Sequence, residues 1–343
     1  MAVYVSKDFY QEDPTPRASW RLAVLMGANS RTYKFALGEA LLELAGTGRS
    51  DAPLTELARP YAMSLVRHLE EAPQAPAAQE LRDTDFLAIA RREATESLRL
   101  GQPTEPLIRA AVQSMPAMVM QKFTNLPGST TLPHQFYELT GTRRERIVRF
   151  TPEMQRLAVS EHAEVLRGEL GARWAIVESS FSTGVGASLM REGVAADLQT
   201  LTLTDKRRRR AITGVKEATI GFQHGRCLIC NDPLAAGDPY AIDHVFAFSF
   251  MERMGGLRGW QGPDLDAVWN LAPVHEACNA AKSNRLPTRD EQHRLAQRNE
   301  AIQQSPHPLK RTLQLTLSAW KYDSSRPANW SAFVGNVYRL LTT

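Results

Sequence analysis

Two pairs of residues, each separated by the same step of three positions, constrain this sequence most. Cys227 and Cys230 form the first pair, and His275 and Cys278 form the second. The chain has no other cysteine, and an odd number does not suit a secreted disulfide framework. Thiolate and imidazole donors in two such pairs match the tetrahedral shell that Zn²⁺ prefers, and four protein ligands leave no position for water. The pattern predicts a structural zinc site; the alternative is that His275 only packs or caps a helix.

Polar residues suited to chemistry lie inside and beside this frame. They are Asp243, His244, Asn270, Asn279 and Lys282. The order CxxC, IDH, WNL and HxxCNxxKSNRLP, over residues 215–290, resembles the HNH, or ββα-metal, nucleases. Each residue also has a plainer interpretation: a hydrogen-bonded pair at a strand end, a helix cap, a solvent-facing helix residue or a surface charge.

The resemblance implies a role for each motif residue, in an H-N-N variant of the family. A β-hairpin would carry Asp243 and His244, Asn270 would lie in the loop before a helix, and Asn279 would face the hairpin from that helix. His244 would be the general base that activates water, with Asn270 fixing its orientation. Asp243 and Asn279 would supply oxygen ligands to one catalytic cation, Mg²⁺ or Mn²⁺, distinct from the zinc.

A basic segment directly precedes the first cysteine. Residues 205–226 contain seven Lys or Arg against two Asp or Glu, so most of the chain's surplus of +4 is concentrated here. A solvated helix face is the alternative to nucleic-acid binding. The predicted phosphate contacts are Arg207, Arg208, Arg209 and Arg210.

Further candidate nucleic-acid contacts follow the motif. Lys282 lies one helical turn beyond Asn279, where its ammonium would meet a phosphate, and Arg285 is a second candidate. A solvated helix end is the alternative for both. In the glycine-rich loop before Asn270, Arg258 and Trp260 are candidate contacts, although we favour packing for Trp260.

Helical periodicity dominates the first two hundred residues. Proline and glycine breaks such as EAPQAPAAQ and GQPTEP separate the periodic stretches, whereas RERIVRF and RWAIVESSF indicate short strands that would form a small hairpin. We therefore predict an α+β fold that is mainly α. The predicted helical stretches are RTYKFALGEALLELAG, LTELARPYAMSLVRHLEE, DTDFLAIARREATESLRL, PLIRAAVQSMPAMVMQKF and TPEMQRLAVSEHAEVLRGEL.

Length and composition favour more than one domain, since the chain has 343 residues, of which 43% are apolar. We predict a mainly helical domain at 1–204, which senses a target or mediates assembly, and the basic segment and nuclease module at 205–290. A helical tail at 291–343 would pack back on one of these domains, because it carries aromatic residues that need burial. They are Trp320, Trp330, Phe333 and Tyr338.

The predicted function is a metal-dependent endonuclease acting on DNA, with RNA left open as a substrate. The first residues lack the apolar run of a secretory signal, and no stretch reaches the roughly 18 apolar residues of a membrane span, so we expect a cytoplasmic protein without a membrane partner. Bacterial restriction or anti-phage defence is the leading role by analogy, with a protein partner or homo-oligomer assembling through the N-terminal domain. The alternatives are a catalytically inactive zinc-supported nucleic-acid-binding adaptor and a phage or mobile-element nuclease.

Overall fold

The fold is known from a computed structural model of the chain. It describes residues 13–27, 31–76, 81–126, 130–142, 145–181, 195–197, 202–204, 211–212, 215–235, 238–250, 260–307, 309–323 and 329–342. The chain divides into two compact units, Met1–Ala187 and Ser188–Thr343, which are described one at a time. Within the described ranges, none of the helices has both the length and the apolar composition needed to cross a membrane.

The first unit is mainly helical. Its seven described α-helices are α1 (Pro16–Arg21), α2 (Tyr33–Ala45), α3 (Leu54–Glu71), α4 (Phe86–Leu100), α5 (Glu105–Met118), α6 (Pro152–Val159) and α7 (Ala163–Phe181). A π-helical turn, Leu22–Met26, continues α1, and a 3-10 turn, Met120–Lys122, follows α5. Polar caps set several helix starts, because a Thr or Asp side chain accepts a hydrogen bond from a first-turn backbone amide.

The strands of the first unit are short. They are β1 (Asp51–Pro53), β2 (Asn125–Leu126), β3 (Thr130–Thr131), β4 (Tyr137–Gly141) and β5 (Arg146–Phe150). The antiparallel sheet has the order β1-β5-β4, and β2 pairs separately with β3. The prediction of a strand in RERIVRF is therefore confirmed, but this strand lies between β1 and β4 and does not form the predicted hairpin.

The prediction of a second strand in RWAIVESSF is wrong, because these residues form the end of α7. Trp174 and Val177 lie one helical turn apart and are both buried. Glu178 accepts a hydrogen bond from Gln74 Nε2 at 2.6 Å, and the Trp174 ring stacks on His68 of α3 with 3.6 Å between ring centroids. Burial against several elements therefore favours a helix over a short run with β-forming composition.

The second unit carries all of the residues that the motif analysis selected. Its strands are β6 (Ala195–Asp197), β7 (Thr202–Thr204), β8 (Ala211–Ile212), β9 (Tyr240–His244) and β10 (Leu271–His275). Its helices are α8 (Val215–Phe222), α9 (Glu276–Lys282), α10 (Arg289–Gln304), α11 (Leu309–Ala319) and α12 (Asn329–Thr342). The antiparallel pair β9 and β10 is followed directly by α9, and we call residues 240–282 the hairpin–helix segment.

The C-terminal helices pack on the hairpin–helix segment, as the sequence predicts for the tail. Trp269, two residues before β10, contacts Phe333 edge to face at 5.0 Å between ring centroids and stacks on Trp330 at 6.5 Å. Trp330 and Phe333 are buried, whereas Trp320 and Tyr338 remain partly exposed. Residues 291–343 therefore supply part of the core of the second unit, with two of the four tail aromatics.

Candidate functional site

The two spaced pairs of cysteine and histidine come together in space. Cys227 and Cys230 lie in the turn after α8, His275 ends β10, and Cys278 lies in α9. One ligand atom from each of the four residues lies within 4.8 Å of the others. This donor set can hold a metal ion such as Zn²⁺, which prefers sulfur and nitrogen ligands in a tetrahedral arrangement.

Hydrogen bonds around the cluster orient its donors as a metal site requires. His275 Nε2 lies 3.1 Å from the carbonyl oxygen of Pro233, so this nitrogen carries the proton and Nδ1 presents its lone pair. Nδ1 lies 3.4 Å from Cys230 Sγ and 3.8 Å from Cys278 Sγ. His275 is the N-cap residue of α9, but its side chain makes no capping hydrogen bond, which argues against the alternative role in helix capping.

The thiols need a cation to become ligands. Burial raises the pKa of the Cys230 thiol to about 12, and it also raises the pKa of Cys278. Two backbone amides point at sulfur, since His275 N donates to Cys227 Sγ at 3.4 Å and Asp232 N donates to Cys230 Sγ at 3.5 Å. These weak bonds favour thiolate, but a bound metal ion would supply the larger stabilisation.

Pairing of β9 with β10 places the predicted catalytic residues at one end of the hairpin. His244 is opposite Leu271 and Asp243 is opposite Ala272, so Asn270 lies just beyond the last paired residue. Val245 N donates to Asn270 O at 2.9 Å, which extends the contact past the strand ends. The hairpin thus brings His244 and Asn270 together although 26 positions separate them in the sequence.

One ring nitrogen of His244 is anchored by a carboxylate. His244 Nε2 lies 2.8 Å from Asp266 Oδ1, and the side chain of His244 is 30% exposed. Nδ1 has no hydrogen-bond partner among the described residues. The ring of Phe248 lies beside the imidazole, with 5.9 Å between ring centroids. The imidazole is therefore partly exposed and is anchored through one of its two nitrogens.

Asn270 does not orient His244 directly, in contrast to the sequence-based expectation. Its side chain is fully buried; Oδ1 accepts from Phe246 N at 2.9 Å, and Nδ2 donates to Phe246 O at 2.8 Å and to Leu265 O at 2.7 Å. Both amide hydrogens are thus used on backbone carbonyls. Asn270 fixes the backbone on either side of the site, while Asp266 contacts the imidazole.

Lys282 is buried, so neither the predicted phosphate contact nor a solvated helix end describes its position. Its Nζ lies 3.2 Å from Asp243 Oδ1, 3.0 Å from Asp243 Oδ2 and 2.9 Å from His244 O. Burial raises the pKa of the Asp243 carboxyl above its ordinary value, although the charge of Lys282 acts in the opposite direction. The ion pair therefore joins the C-terminal end of α9 to the end of β9.

A divalent cation does not fit on Asp243 as the side chains are arranged. Both carboxylate oxygens are within 3.2 Å of the Lys282 ammonium, and Asp243 is only 7% exposed. Asn279, the second predicted oxygen ligand, lies on the same helix three positions before Lys282 and is partly exposed. A cation would have to displace the ammonium before it could reach the carboxylate.

The remaining predicted contacts have mixed outcomes. Arg285 forms a bidentate ion pair with Glu291 at 2.6 and 2.8 Å, which connects the end of α9 to the first turn of α10. Burial alone would raise the pKa of Glu291, but Arg285 and the Thr288 amide lower it below its ordinary value.

Trp260 is buried and its Nε1 donates to Pro263 O at 2.7 Å, which confirms the packing interpretation. Arg258 and the predicted arginines 207–210 lie outside the described residues.

Asp266 and two arginines of α10 are site residues that the motif analysis missed. Asp266 contacts the imidazole from the loop before Asn270, and its only sequence signal is an acidic residue four positions before the motif asparagine. Arg294 donates to Leu228 O and Ile229 O, each at 2.7 Å, within the turn that joins the first two cysteines. Arg298 donates to Trp269 O at 2.8 Å beside Asn270. None of these contacts follows a local spacing rule.

Comparison of the chain with models of protein families, with curated proteins and with solved structures gives no match in any of the three. A functional interpretation of the second unit therefore depends on its side chains and their geometry.

Proposed function

We propose that this protein is an endonuclease that hydrolyses phosphodiester bonds of DNA, with residues 240–282 as its catalytic part. RNA is the alternative substrate with the same chemistry. The observation that carries the proposal is the state of the His244 ring. It lies at the end of a strand and is partly exposed; Nε2 is bound to a carboxylate, and no described residue forms a hydrogen bond with Nδ1.

This geometry suits a general base. A water molecule at Nδ1 would lose a proton to the imidazole while its oxygen forms a bond to phosphorus. The bond from phosphorus to the leaving sugar oxygen then breaks, and this oxygen takes a proton from solvent water, which gives one phosphomonoester and one sugar hydroxyl.

The cation implied by the HNH resemblance, Mg²⁺ or Mn²⁺, remains part of the proposal. Its ligands would be Asp243 and Asn279, and it would have to displace the Lys282 ammonium from Asp243 to bind there. When bound, such a cation stabilises the negative charge that develops on phosphate oxygens. The His244 ring is held by its contact with Asp266, which involves neither Asp243 nor Asn279.

We assign a structural role to zinc at the cysteine and histidine cluster. Four protein ligands complete its shell, which leaves no position for a reacting water. The ligands come from the turn after α8, from the end of β10 and from α9, so the ion would fix the elements that present His244 and Asp243.

Cleavage of a supercoiled plasmid tests the proposed function. We expect the zinc-loaded full chain to nick plasmid with Mg²⁺ or Mn²⁺, and His244→Ala to lose at least about 10²-fold in rate, the lower end of what a positioned base contributes. Zinc content and DNA binding should be unchanged in the variant. A His244→Ala protein that nicks at the wild-type rate would overturn the proposal.

The second candidate is a zinc-supported nucleic-acid-binding adaptor without catalysis. The ion pair between Lys282 and Asp243 favours it, because the carboxylate that would bind a catalytic cation is already neutralised. The plasmid experiment separates the two candidates. An adaptor binds DNA without nicking it over the whole range of Mg²⁺ and Mn²⁺ concentrations.

For biological context, we propose restriction or anti-phage defence in a bacterial cytoplasm, and a phage or mobile-element nuclease as the alternative. The support is an analogy: a large helical unit outside the hairpin–helix segment suits target sensing or assembly with a protein partner or a second copy. Phage plating on cells that express wild-type protein or His244→Ala tests this assignment. A defence nuclease lowers the plating efficiency only in its wild-type form.

A further inference from the structure

We infer that Asp266 is the positioning residue for His244, so that Nε2 carries the proton of the neutral ring and Nδ1 is the atom that accepts a proton from water. This inference rests on the proposed nuclease function and names a residue that the HNH resemblance does not select. It also assigns the reacting atom of the base.

The contact itself determines the tautomer of the imidazole. The distance from His244 Nε2 to Asp266 Oδ1 is 2.8 Å, which is a hydrogen bond. An ionised carboxylate only accepts hydrogen bonds, so the hydrogen must belong to Nε2. A neutral ring then has its lone pair on Nδ1, and no described residue forms a hydrogen bond with Nδ1. Acid–base chemistry at this ring therefore takes place at Nδ1.

The turn that carries Asp266 is fixed on both sides. Asp266 N donates to Asp264 Oδ1 at 2.9 Å, and Trp269 Nε1 donates to Asp264 O at 2.9 Å. Leu265, which lies between Asp264 and Asp266, is fully buried, and its carbonyl accepts a hydrogen bond from Asn270 Nδ2. Asp266 therefore approaches the imidazole from a backbone that packing and hydrogen bonds hold in place.

Asn270 links this turn to the chain segment that carries His244. The same side chain that binds Leu265 O also binds the amide and the carbonyl of Phe246, two residues after His244. One buried amide thus sets the distance between the two backbones from which His244 and Asp266 project. The effect of Asn270 on the base is transmitted through Asp266, which explains how the asparagine can orient the imidazole without touching it.

A pair of this kind has a second interpretation, in which it is only a surface ion pair. Both side chains are more than a quarter exposed, at 30% for His244 and 38% for Asp266, and exposed pairs contribute little to stability. A positioning role is distinguishable from this one, because it changes the rate and the tautomer while leaving DNA affinity and folding unchanged.

Two measurements on the zinc-loaded full chain test the inference. The first is the single-turnover nicking rate at saturating plasmid for wild type, Asp266→Ala and Asp266→Glu. We expect Asp266→Ala to be slower by about 10-fold or more, with unchanged plasmid affinity; about 10-fold is the lower end of the loss when the outer hydrogen-bond partner of a metal-bound histidine is removed. Asp266→Glu keeps a carboxylate acceptor and should recover part of the rate. Asp290→Asn, an exposed carboxyl outside the site, is the matched control and should be equal to wild type.

The second measurement is the nitrogen NMR spectrum of the histidine rings. His244 is assigned by the signal that disappears in His244→Ala. We expect the wild-type ring to carry its proton on Nε2, and Asp266→Ala to show a mixture of the two tautomers.

The two measurements together separate the positioning role of Asp266 from the proposed nuclease function. Wild-type rate and an unchanged tautomer in Asp266→Ala, in a protein that requires His244 for nicking, would overturn the inference and leave the nuclease proposal intact. No nicking by the wild type, with the Nε2 tautomer lost in Asp266→Ala, would overturn the nuclease proposal while showing that Asp266 positions the ring.

Discussion

Asp243 and Lys282 form a buried ion pair at the position where the HNH resemblance implies a metal ion. Removing one partner of such a pair leaves an uncompensated charge in a poorly solvated site, which is costly. The ammonium also donates a hydrogen bond to His244 O, so it binds a backbone carbonyl as well as Asp243 Oδ1. Any cation that binds Asp243 must compete with all of these contacts.

Lys282→Met should therefore be less stable than wild type and more responsive to Mn²⁺. A cation on the vacated carboxylate would stabilise the variant by about 2.7 kcal/mol when its concentration is 100 times the Kd. The melting temperature of the zinc-loaded protein over an Mn²⁺ titration measures this effect. Lys310→Met, a partly exposed lysine of α11, is the control. Equal Mn²⁺ responses in Lys282→Met and wild type would contradict competition at Asp243.

At the level of elements, α10 holds the site together from outside the motif. The guanidinium of Arg294 binds two carbonyls of the turn between Cys227 and Cys230, and that of Arg298 binds Trp269 O next to Asn270. Asn299 Nδ2 also donates to Trp269 O at 2.9 Å. Burial lowers the pKa of Arg298 to about 9, so the charge is held at a cost in hydration. The helix therefore fixes the backbone of both the proposed zinc site and the proposed catalytic site.

Arg294→Met should keep the fold and lose zinc faster. The carbonyls of Leu228 and Ile229 lie between the first two cysteines, and without the guanidinium this turn is less ordered around its ligands. We expect release to a chelator to accelerate by about 10-fold, the scale of lost support around a metal ligand. A colorimetric zinc assay measures the rate, with the exposed Arg289→Met on the same helix as the control. Identical rates of zinc release from both variants would show that α10 does not support the turn between Cys227 and Cys230.

The sequence predicts these elements unequally. Periodicity predicts helices such as Leu54–Glu71 because an amphipathic pattern and a break at each end are local properties. The strand prediction for RWAIVESSF is wrong because nine residues of mixed composition fit either structure, and tertiary contacts of α7 decide between them. The cysteine and histidine cluster is predictable from spacing. The burial of Lys282 and the contact of Asp266 with His244 depend on how α9 and the loop pack, which local patterns do not encode.

At the level of the whole molecule, the basic segment would provide affinity for DNA, and the hairpin–helix segment would cleave it. The predicted phosphate-binding arginines, residues 207–210, are adjacent in the sequence and precede the turn between Cys227 and Cys230 in the second unit. Contacts to phosphate determine general affinity for nucleic acid, whereas the arrangement around His244 would determine the rate of cleavage. Affinity and catalysis should therefore respond to different substitutions.

Replacing Arg207, Arg208, Arg209 and Arg210 with alanine should weaken binding to DNA of any sequence. Each arginine that binds a phosphate adds about 0.9 to the slope of log affinity against log salt concentration, so the slope should become shallower by about that amount for each phosphate-binding arginine removed. Fluorescence anisotropy with two unrelated duplexes over a salt series measures it. An unchanged slope would show that the four arginines form only a solvated face.

The central claim is that the imidazole of His244 takes the proton from the attacking water, and chemical rescue tests it most directly. His244→Ala keeps Asp266 and removes only the base, so added imidazole can enter the space beside Asp266 Oδ1. The measurement is the plasmid nicking rate of zinc-loaded His244→Ala over a series of imidazole concentrations, with zinc content determined at each one and wild type as the control. We predict that the variant's rate rises with imidazole while the wild-type rate does not. A wild-type rate in His244→Ala without imidazole would contradict the account.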